Sequence, residues 1–281
     1  GDESVLEKVT REYDNGNFRE AAFLVRHHLY KGGEPEPELL FYAGRSLLKI
    51  GIEGEAEDYF SQLYGADSTW APRIAEVYRE MALDYLGKGN RTRGKQFIRR
   101  TVRYDRSADF GIHNNIAGKV LLERGSPEDA AEYLESYLSA YPDSSGAAEA
   151  LLNLSSAYRE AGDYARAIDG YRQLMERYPR SRLVTTARWN YEELSIREAA
   201  KAMEGGELEV ARNILTPLTS SQSSNLVRVR AHYMLGEICQ KQGFPERAVE
   251  NYHQVLRLNL GSSGRYAERA KERIEQLEKS R

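Results

Sequence analysis

The sequence has one cysteine, Cys239, so no disulfide can form within the chain and its stability must come from packing. That scarcity does not fix a compartment, because an exported protein can lack disulfides. Eight prolines in 281 residues are too few for a proline-rich extended chain. There is no run of 18 apolar residues, which excludes a membrane-spanning helix in this sequence. Charge of one sign is also missing. Forty basic side chains against 43 acidic ones leave a net charge of −3, without the cationic excess that marks a polyanion binder. Motifs of catalysis are absent: there is no phosphate-binding G-x-x-x-x-G-K-[ST], no G-x-G-x-x-G, no H-E-x-x-H and no G-x-S-x-G. The pair Glu192-Glu193 reads as ordinary helix surface. His27 and His28 are adjacent, so on a helix they point about 100° apart and do not chelate one metal together. No catalytic residue, metal or cofactor is expected, and Cys239 reads as a small buried hydrophobe.

What is present is periodic. The glycines Gly16, Gly51, Gly89, Gly125, Gly162, Gly206 and Gly243 recur at intervals of 35, 38, 36, 37, 44 and 37 residues. Five residues after each stands a small residue: Ala21, Ala56, Gly94, Ala130, Ala167, Ala211 and Ala248. Four further on stands a bulky one: Val25, Phe60, Ile98, Leu134, Tyr171, Leu215 and Tyr252. Seven before each glycine the residue is again mostly small: Val9, Gly44, Ala82, Gly118, Ser155, Ala199 and Gly236. Glycine tolerates positive φ and so closes a helix with a sharp turn. The small residues let a second helix approach the first, and the bulky one fills the groove between them.

Residues 148–181 carry the clearest copy, through Leu151, Leu154, Ser155, Tyr158, Gly162, Tyr164, Ala167, Tyr171, Leu174 and Pro179. Further copies run over 111–144 (Gly118, Leu121, Gly125, Ala130, Leu134, Pro142) and 229–262 (Leu235, Gly236, Gly243, Ala248, Tyr252, Val255). In this spacing the chain resembles tetratricopeptide repeat proteins over nearly its whole length. It departs from their pattern at Leu151, where tryptophan is usual, and at Ser155, where glycine is. The resemblance implies an all-α fold, a right-handed superhelical solenoid of about seven helix-turn-helix units, in a single domain over 1–281. The units fall at about 2–35, 37–70, 75–108, 111–144, 148–181, 183–225 and 229–262, with a capping helix over 264–280 that covers the last apolar face. Ser126-Pro127-Glu128-Asp129 and Phe244-Pro245-Glu246 read as helix starts. Tyr141-Pro142 and Tyr178-Pro179 read as helix ends. Residues 183–204 suit a first helix lengthened by two turns. Gly32–Pro37 and Ser220–Ser224 read as loops, the second expected to be the most mobile.

The resemblance also places first helices on the concave wall, where residues about ten, six and three positions before each turn glycine face a groove. These positions give Leu6, Thr10 and Tyr13; Phe41, Arg45 and Leu48; Arg79, Leu83 and Leu86; Asn115, Lys119 and Leu122; Leu152, Ser156 and Arg159; and Tyr233, Glu237 and Gln240. With Asn153 added, this wall suits an amphipathic or extended peptide of some acidic character. The bland alternative is that these side chains pack against the neighbouring helix. One subset of the family clamps a C-terminal carboxylate. Its nearest match here is Asn115, Lys119, Asn153 and Arg197, but Glu193 reverses one charge, so that clamp is not assigned.

A basic stretch, Lys88, Arg91, Arg93, Lys95, Arg99, Arg100, Arg103 and Arg106, offers an anion patch centred on Arg99, Arg100 and Arg103. Its bland reading is a solvated helix balanced by Glu53, Glu55, Glu57 and Asp58 on the neighbouring second helix. The expected function is a non-catalytic scaffold or adaptor for a protein or peptide. The alternatives are an accessory helical domain of a larger cell-wall enzyme of the lytic transglycosylase type, and an RNA- or anion-binding solenoid using residues 91–106. The net charge argues against nucleic acid. Self-association through uncovered terminal units is open but supported by no particular residue. The helix ends Tyr-Pro-Asp-Ser and Tyr-Pro-Arg-Ser resemble those of bacterial cell-envelope repeat proteins, which implies a periplasmic location, with a cytoplasmic one as the alternative. The opening Gly1-Asp2-Glu3-Ser4 lacks an initiator methionine, so Gly1 reads as an added residue and residue 2 as a mature or truncated start. Membrane contact would then come only through a lipid anchor outside this sequence.

Overall fold

A computed structural model of the chain describes residues 3–258 and 264–279, and among them every regular element is helical. The helices follow in pairs. They are α1 (Val5–Asp14) and α2 (Phe18–Tyr30), α3 (Pro37–Lys49) and α4 (Glu53–Ala66), α5 (Ala71–Gly87) and α6 (Arg91–Tyr104), and α7 (Asn114–Glu123) and α8 (Pro127–Ala140). Then come α9 (Ala147–Glu160) and α10 (Tyr164–Arg177), α11 (Val184–Glu204) and α12 (Leu208–Leu215), α13 (Asn225–Lys241) and α14 (Pro245–Leu258), and last α15 (Arg265–Lys279). The chain divides into two compact units, Gly1–Leu121 and Leu122–Arg281, with the boundary inside α7. The end of the expected seventh repeat at 259–262, residue 2 and residue 280 lie outside the described residues.

All seven turn glycines take φ between 72° and 83°, the left-handed region that a β-carbon disfavours. The residue after the glycine then donates its amide back into the first helix. Examples are Ile52 to the Leu47 carbonyl (2.9 Å) and Asp163 to that of Tyr158 (2.8 Å). The small and bulky residues meet as their spacing requires. A β-carbon at Gly44 would sit 2.6 Å from the Phe60 ring, and one at Gly236 would sit 2.6 Å from the Tyr252 ring. Val25, Phe60, Ile98, Leu134, Tyr171, Leu215 and Tyr252 are all fully buried. Truncating such an aromatic to alanine costs roughly 3–5 kcal/mol.

Helix starts use side-chain caps unevenly. Ser4, Asn90 and Asp163 each accept the amide three residues on, at 3.1–3.2 Å. Ser126 holds the cap position of α8 without a side-chain bond, so Pro127 and the acidic first turn set that start. α11 runs 21 residues, as the longer spacing before Gly206 suggests, while α13 starts one turn before the expected Val229. Ser220–Ser224, expected to be mobile, is tied down. The Ser224 amide and hydroxyl both donate to Glu192 (2.8 and 2.9 Å), and Arg188 donates to the Gln222 carbonyl. Glu192 is therefore a buried acceptor, not the surface residue that its sequence context suggests.

In the second unit α15 closes the stack. It lays Ala270 and Ile274 on the cluster formed by Val229, Tyr233, Tyr252 and Val255, and Leu277 packs against the edge. Terminal repeats need such a polar-faced cover.

Candidate binding cleft

One cleft of the second unit lies where α11, α13 and α15 meet. Tyr233 on α13 sits 5.6 Å from the ring of Tyr252 and 5.3 Å edge-on from that of Tyr266 on α15. This aromatic contact fixes α15 against α13 and leaves a cleft of about 350 Å³ in front of it. Its apolar lining comes from Ile196, Met203, Tyr233, Met234 and Tyr266, and its charged rim from Arg230, Lys241, Arg269, Glu204 and Glu237. Among the described residues no carboxylate pairs with Arg230, Lys241 or Arg269. Methionines adapt to differing apolar shapes, and unpaired cations attract carboxylates without first breaking an ion pair. The arrangement can therefore hold a peptide that combines an apolar side chain with acidic ones. Cys239 is buried behind this wall, and burial pushes its thiol up, away from the reactive thiolate.

Tyr233 and Glu237, two of the positions that the repeat phase assigns to the last groove segment, line this cleft. The phase missed Arg230, Met234 and Lys241, which share their face of α13 at offsets of thirteen, nine and two residues before Gly243. It also missed Tyr266 and Arg269, because a capping helix has no repeat phase to read.

The other expected groove residues fall into two groups. Phe41, Leu48 and Leu86 are buried and belong to the core instead of a groove. Phe41 is covered by Trp70 (5.5 Å between rings) and by the Arg73 guanidinium (4.4 Å), and Leu86 fills the space that Gly94 leaves open. Arg45, Arg79, Leu83, Asn115, Lys119, Leu122, Asn153 and Arg159 are half-buried. Arg45 stands 4.5 Å over the Tyr13 ring and 5.5 Å from that of Phe41, so the structure brings Phe41 and Arg45 together as a packed pair. Arg79 is spent on Glu76 (2.8 Å) and the Asp109 carbonyl (3.0 Å). Arg159 donates to Asn190 at 2.7 Å. Arg197 leans on the Tyr164 ring at 4.5 Å, away from any carboxylate clamp.

The basic helix α6 is largely neutralised within its own unit. Arg93 and Arg100 both reach Glu53, the latter at 2.8 Å, and Arg103 reaches Glu57 at 2.8 Å. Lys88 pairs with Asp84 at 2.6 Å. Burial pushes the Glu53 carboxyl up, but the hydrogen bonds and charges of Arg93 and Arg100 outweigh it and hold it below the usual carboxylate value. Glu57 also accepts the hydroxyls of Tyr78 and Tyr104. Arg100 and Arg103, two of the three arginines expected to form an anion patch, are thus committed to glutamates. Arg99 has partners of its own. His28 bonds the Glu34 carbonyl and His27 stacks on Phe23, and no group of three metal-ligating residues occurs among the described residues. Among the described residues no helix is long and apolar enough to cross a membrane.

Comparison with known proteins agrees with this architecture. The family model described as tetratricopeptide repeat matches residues 6–69, 79–145 and 117–182, and a second model of the same description matches 229–262. No curated protein matches the chain. Among solved structures it is similar to a tetratricopeptide repeat protein from Bacteroides fragilis (14% identity, 74% of this chain and 99% of that one, TM-score 0.49). It is also similar to one from Parabacteroides merdae (15% identity, 98% and 97%, TM-score 0.32). A third is the C-terminal part of one from Cytophaga hutchinsonii (13% identity, 96% and 99%, TM-score 0.35). With matched repeats over more than half its length and a positive-φ glycine closing every hairpin, the chain belongs to the tetratricopeptide repeat family.

Proposed function

We infer that this chain is a protein–protein interaction scaffold, because it has the fold of the tetratricopeptide repeats, which are in general such scaffolds and typically non-catalytic. We propose that it holds a protein or peptide of acidic character on its first-helix wall, with the α11–α13–α15 cleft as the principal contact. The observation that carries this reading is the set of unpaired cations, Arg230, Lys241 and Arg269, around an apolar floor of Met203, Met234 and Tyr266. The half-buried wall residues Asn153 and Arg159 of the same unit would supply secondary contacts. The bacterial cell envelope is the proposed setting, supported by the Tyr-Pro-Asp-Ser and Tyr-Pro-Arg-Ser helix ends. An RNA- or anion-binding role for α6 is less favoured, since Glu53 and Glu57 already occupy its arginines.

The test is a crosslinking pull-down from source-cell extract with wild type and an Arg230→Glu/Arg269→Glu variant. A protein recovered by the wild type and lost by the variant supports the cleft. Equal recovery by both places the contact elsewhere.

A further inference from the structure

In two places neighbouring second helices are bridged through the same pair of positions, ten residues after one turn glycine and four after the next. Arg26 of α2 bonds Glu55 of α4 at 2.7 Å. With the signs reversed, Glu135 of α8 lies 3.7 Å from Arg166 of α10. Between α10 and α12 these positions carry Arg172 and Val210. The residue four after the glycine is charged in the other six repeats (Glu20, Glu55, Arg93, Asp129, Arg166 and Arg247), whereas Val210 is apolar and 47% exposed. Arg172 turns instead to Asp169 and Glu176 of its own helix. Among the described residues no ion pair or hydrogen bond joins α10 to α12.

A furrow opens at this unbridged seam. α12 has 8 residues where α10 and α14 have 14, and it gives way to a 3₁₀ turn, Thr216–Thr219, that folds Leu218 into the core. Two hollows of about 350 and 680 Å³ lie between α10 and α12 above α11, and they share Arg172, Tyr191 and Pro217. Along α10 the furrow runs from Ala165 to Glu176, about 16 Å at 1.5 Å per residue. Ile168, Tyr191, Val210 and Ile214 give the first hollow its apolar lining. α9 packs on α10 and α13 packs on α12, so the furrow lies inside the stack.

Two polar groups of the furrow lack a matching partner. Ser195, on the floor of the first hollow, is 1% exposed, and its hydroxyl has no hydrogen-bond partner. A buried hydroxyl left in that state destabilises the free protein, and a guest that bonds it removes the penalty. Arg188, in the second hollow, donates to the Gln222 carbonyl but pairs with no carboxylate. Glu192 nearby is taken up by Ser224, and Asp169 and Glu176 on the rim are held by Arg172.

We propose that the furrow takes a second ligand, an extended segment of a protein that sets an apolar side chain against Ile168, Val210 and Ile214 and a carboxylate on Arg188. The carboxylate complements the one cation of the furrow that no acidic group meets. An extended segment suits Ser195, because its main-chain groups are free to bond the hydroxyl, as those of a helix are not. Arg188 stands two turns before Ser195, about 10 Å along α11, which places the carboxylate about three residues from the apolar side chain. The cleft is lined by a different face of α11, so the two sites are independent.

Panning a phage-displayed library of random heptapeptides on the 281-residue chain tests it, after depletion on the Val210→Glu variant. Fluorescence anisotropy of the selected peptides, made synthetically, then reads their affinity. Val210→Glu sets opposite Arg172 the charge that Glu55 sets opposite Arg26, so it should close the seam without lowering the unfolding temperature. The selected peptides should carry Asp or Glu about three positions from an apolar residue. Val210→Glu should weaken their binding at least about tenfold, Arg188→Gln about fivefold and Ser195→Ala about threefold. Arg230→Glu/Arg269→Glu should leave it within about twofold of wild type. A selection that yields no peptide sensitive to Val210→Glu overturns the proposal. So do selected peptides that lack a carboxylate, or that lose affinity with Arg230→Glu/Arg269→Glu and keep it with Val210→Glu.

Discussion

The outer helices of the first unit and the cleft of the second both gather arginines, but they hold them in opposite states. On α6, Arg93, Arg100 and Arg103 meet Glu53 and Glu57 of the neighbouring second helix, and Arg26 meets Glu55 in the same row. In the cleft, Arg230, Lys241 and Arg269 surround an apolar floor, and among the described residues none of them forms an ion pair, although Glu204 and Glu237 share the rim. A density of basic residues along the chain therefore says little about binding. What matters is whether the adjoining helix brings the opposite charge, and that depends on which residues of the previous repeat face it. The stretch that looks most basic in the sequence is the better satisfied, and the cations left available are scattered over two helices.

The largest effect expected from disturbing this contrast comes from Glu53→Ala/Glu57→Ala. It takes the carboxylate partners from three arginines of α6 and removes the acceptor of two tyrosine hydroxyls. Thermal or urea unfolding should show a loss of about 2–3 kcal/mol, below the value for a fully buried pair because the arginines keep partial exposure. The same variant should gain retention on a polyanion column that wild type lacks, turning the satisfied helix into an anion patch. Next comes Glu192→Ala, which releases the Ser224 amide and hydroxyl. It should cost about 1–2 kcal/mol and speed amide exchange through residues 220–225, making the second unit's loop as mobile as its serine-rich sequence suggests.

Acidification should follow in size. Because the folded-state pKa of Glu53 is depressed, its stabilising contribution is complete above the ordinary carboxylate value and is lost as pH falls through the lowered folded value. Stability measured downward from neutral pH should fall across that acid range, and Glu53→Gln should flatten the decline. The smallest effect belongs to Arg230→Glu/Arg269→Glu. With no ion pair to break, unfolding should shift by no more than about 0.5 kcal/mol while partner capture is lost.

Much of the repeat architecture is legible in the sequence, because glycine at positive φ and the small–bulky pairs depend on residue type at fixed spacing. Gly44 against Phe60 and Gly236 against Tyr252 realise that rule directly. The lengthened α11 is visible for the same reason, as a longer interval between turn glycines. The site is legible only in part. Phase tells which way Phe41 points but not that Trp70, from a short 3₁₀ turn nearly thirty residues later, closes over it. Phase cannot locate Arg269 either, since α15 lies outside the repeat. Glu192 reads as surface until the Ser224 loop is seen folded across it. In each case the missing information is a contact between segments far apart in sequence.

The central claim is that the cleft, and not the outer row of helices, receives the partner. A photo-crosslinking residue placed at Met234 and, in a separate sample, at Gln96 on α6 tests it in source-cell extract. The account predicts a discrete protein adduct from position 234, abolished by Arg230→Glu/Arg269→Glu, and no such adduct from position 96. The same adduct from position 96 and none from position 234 would contradict it.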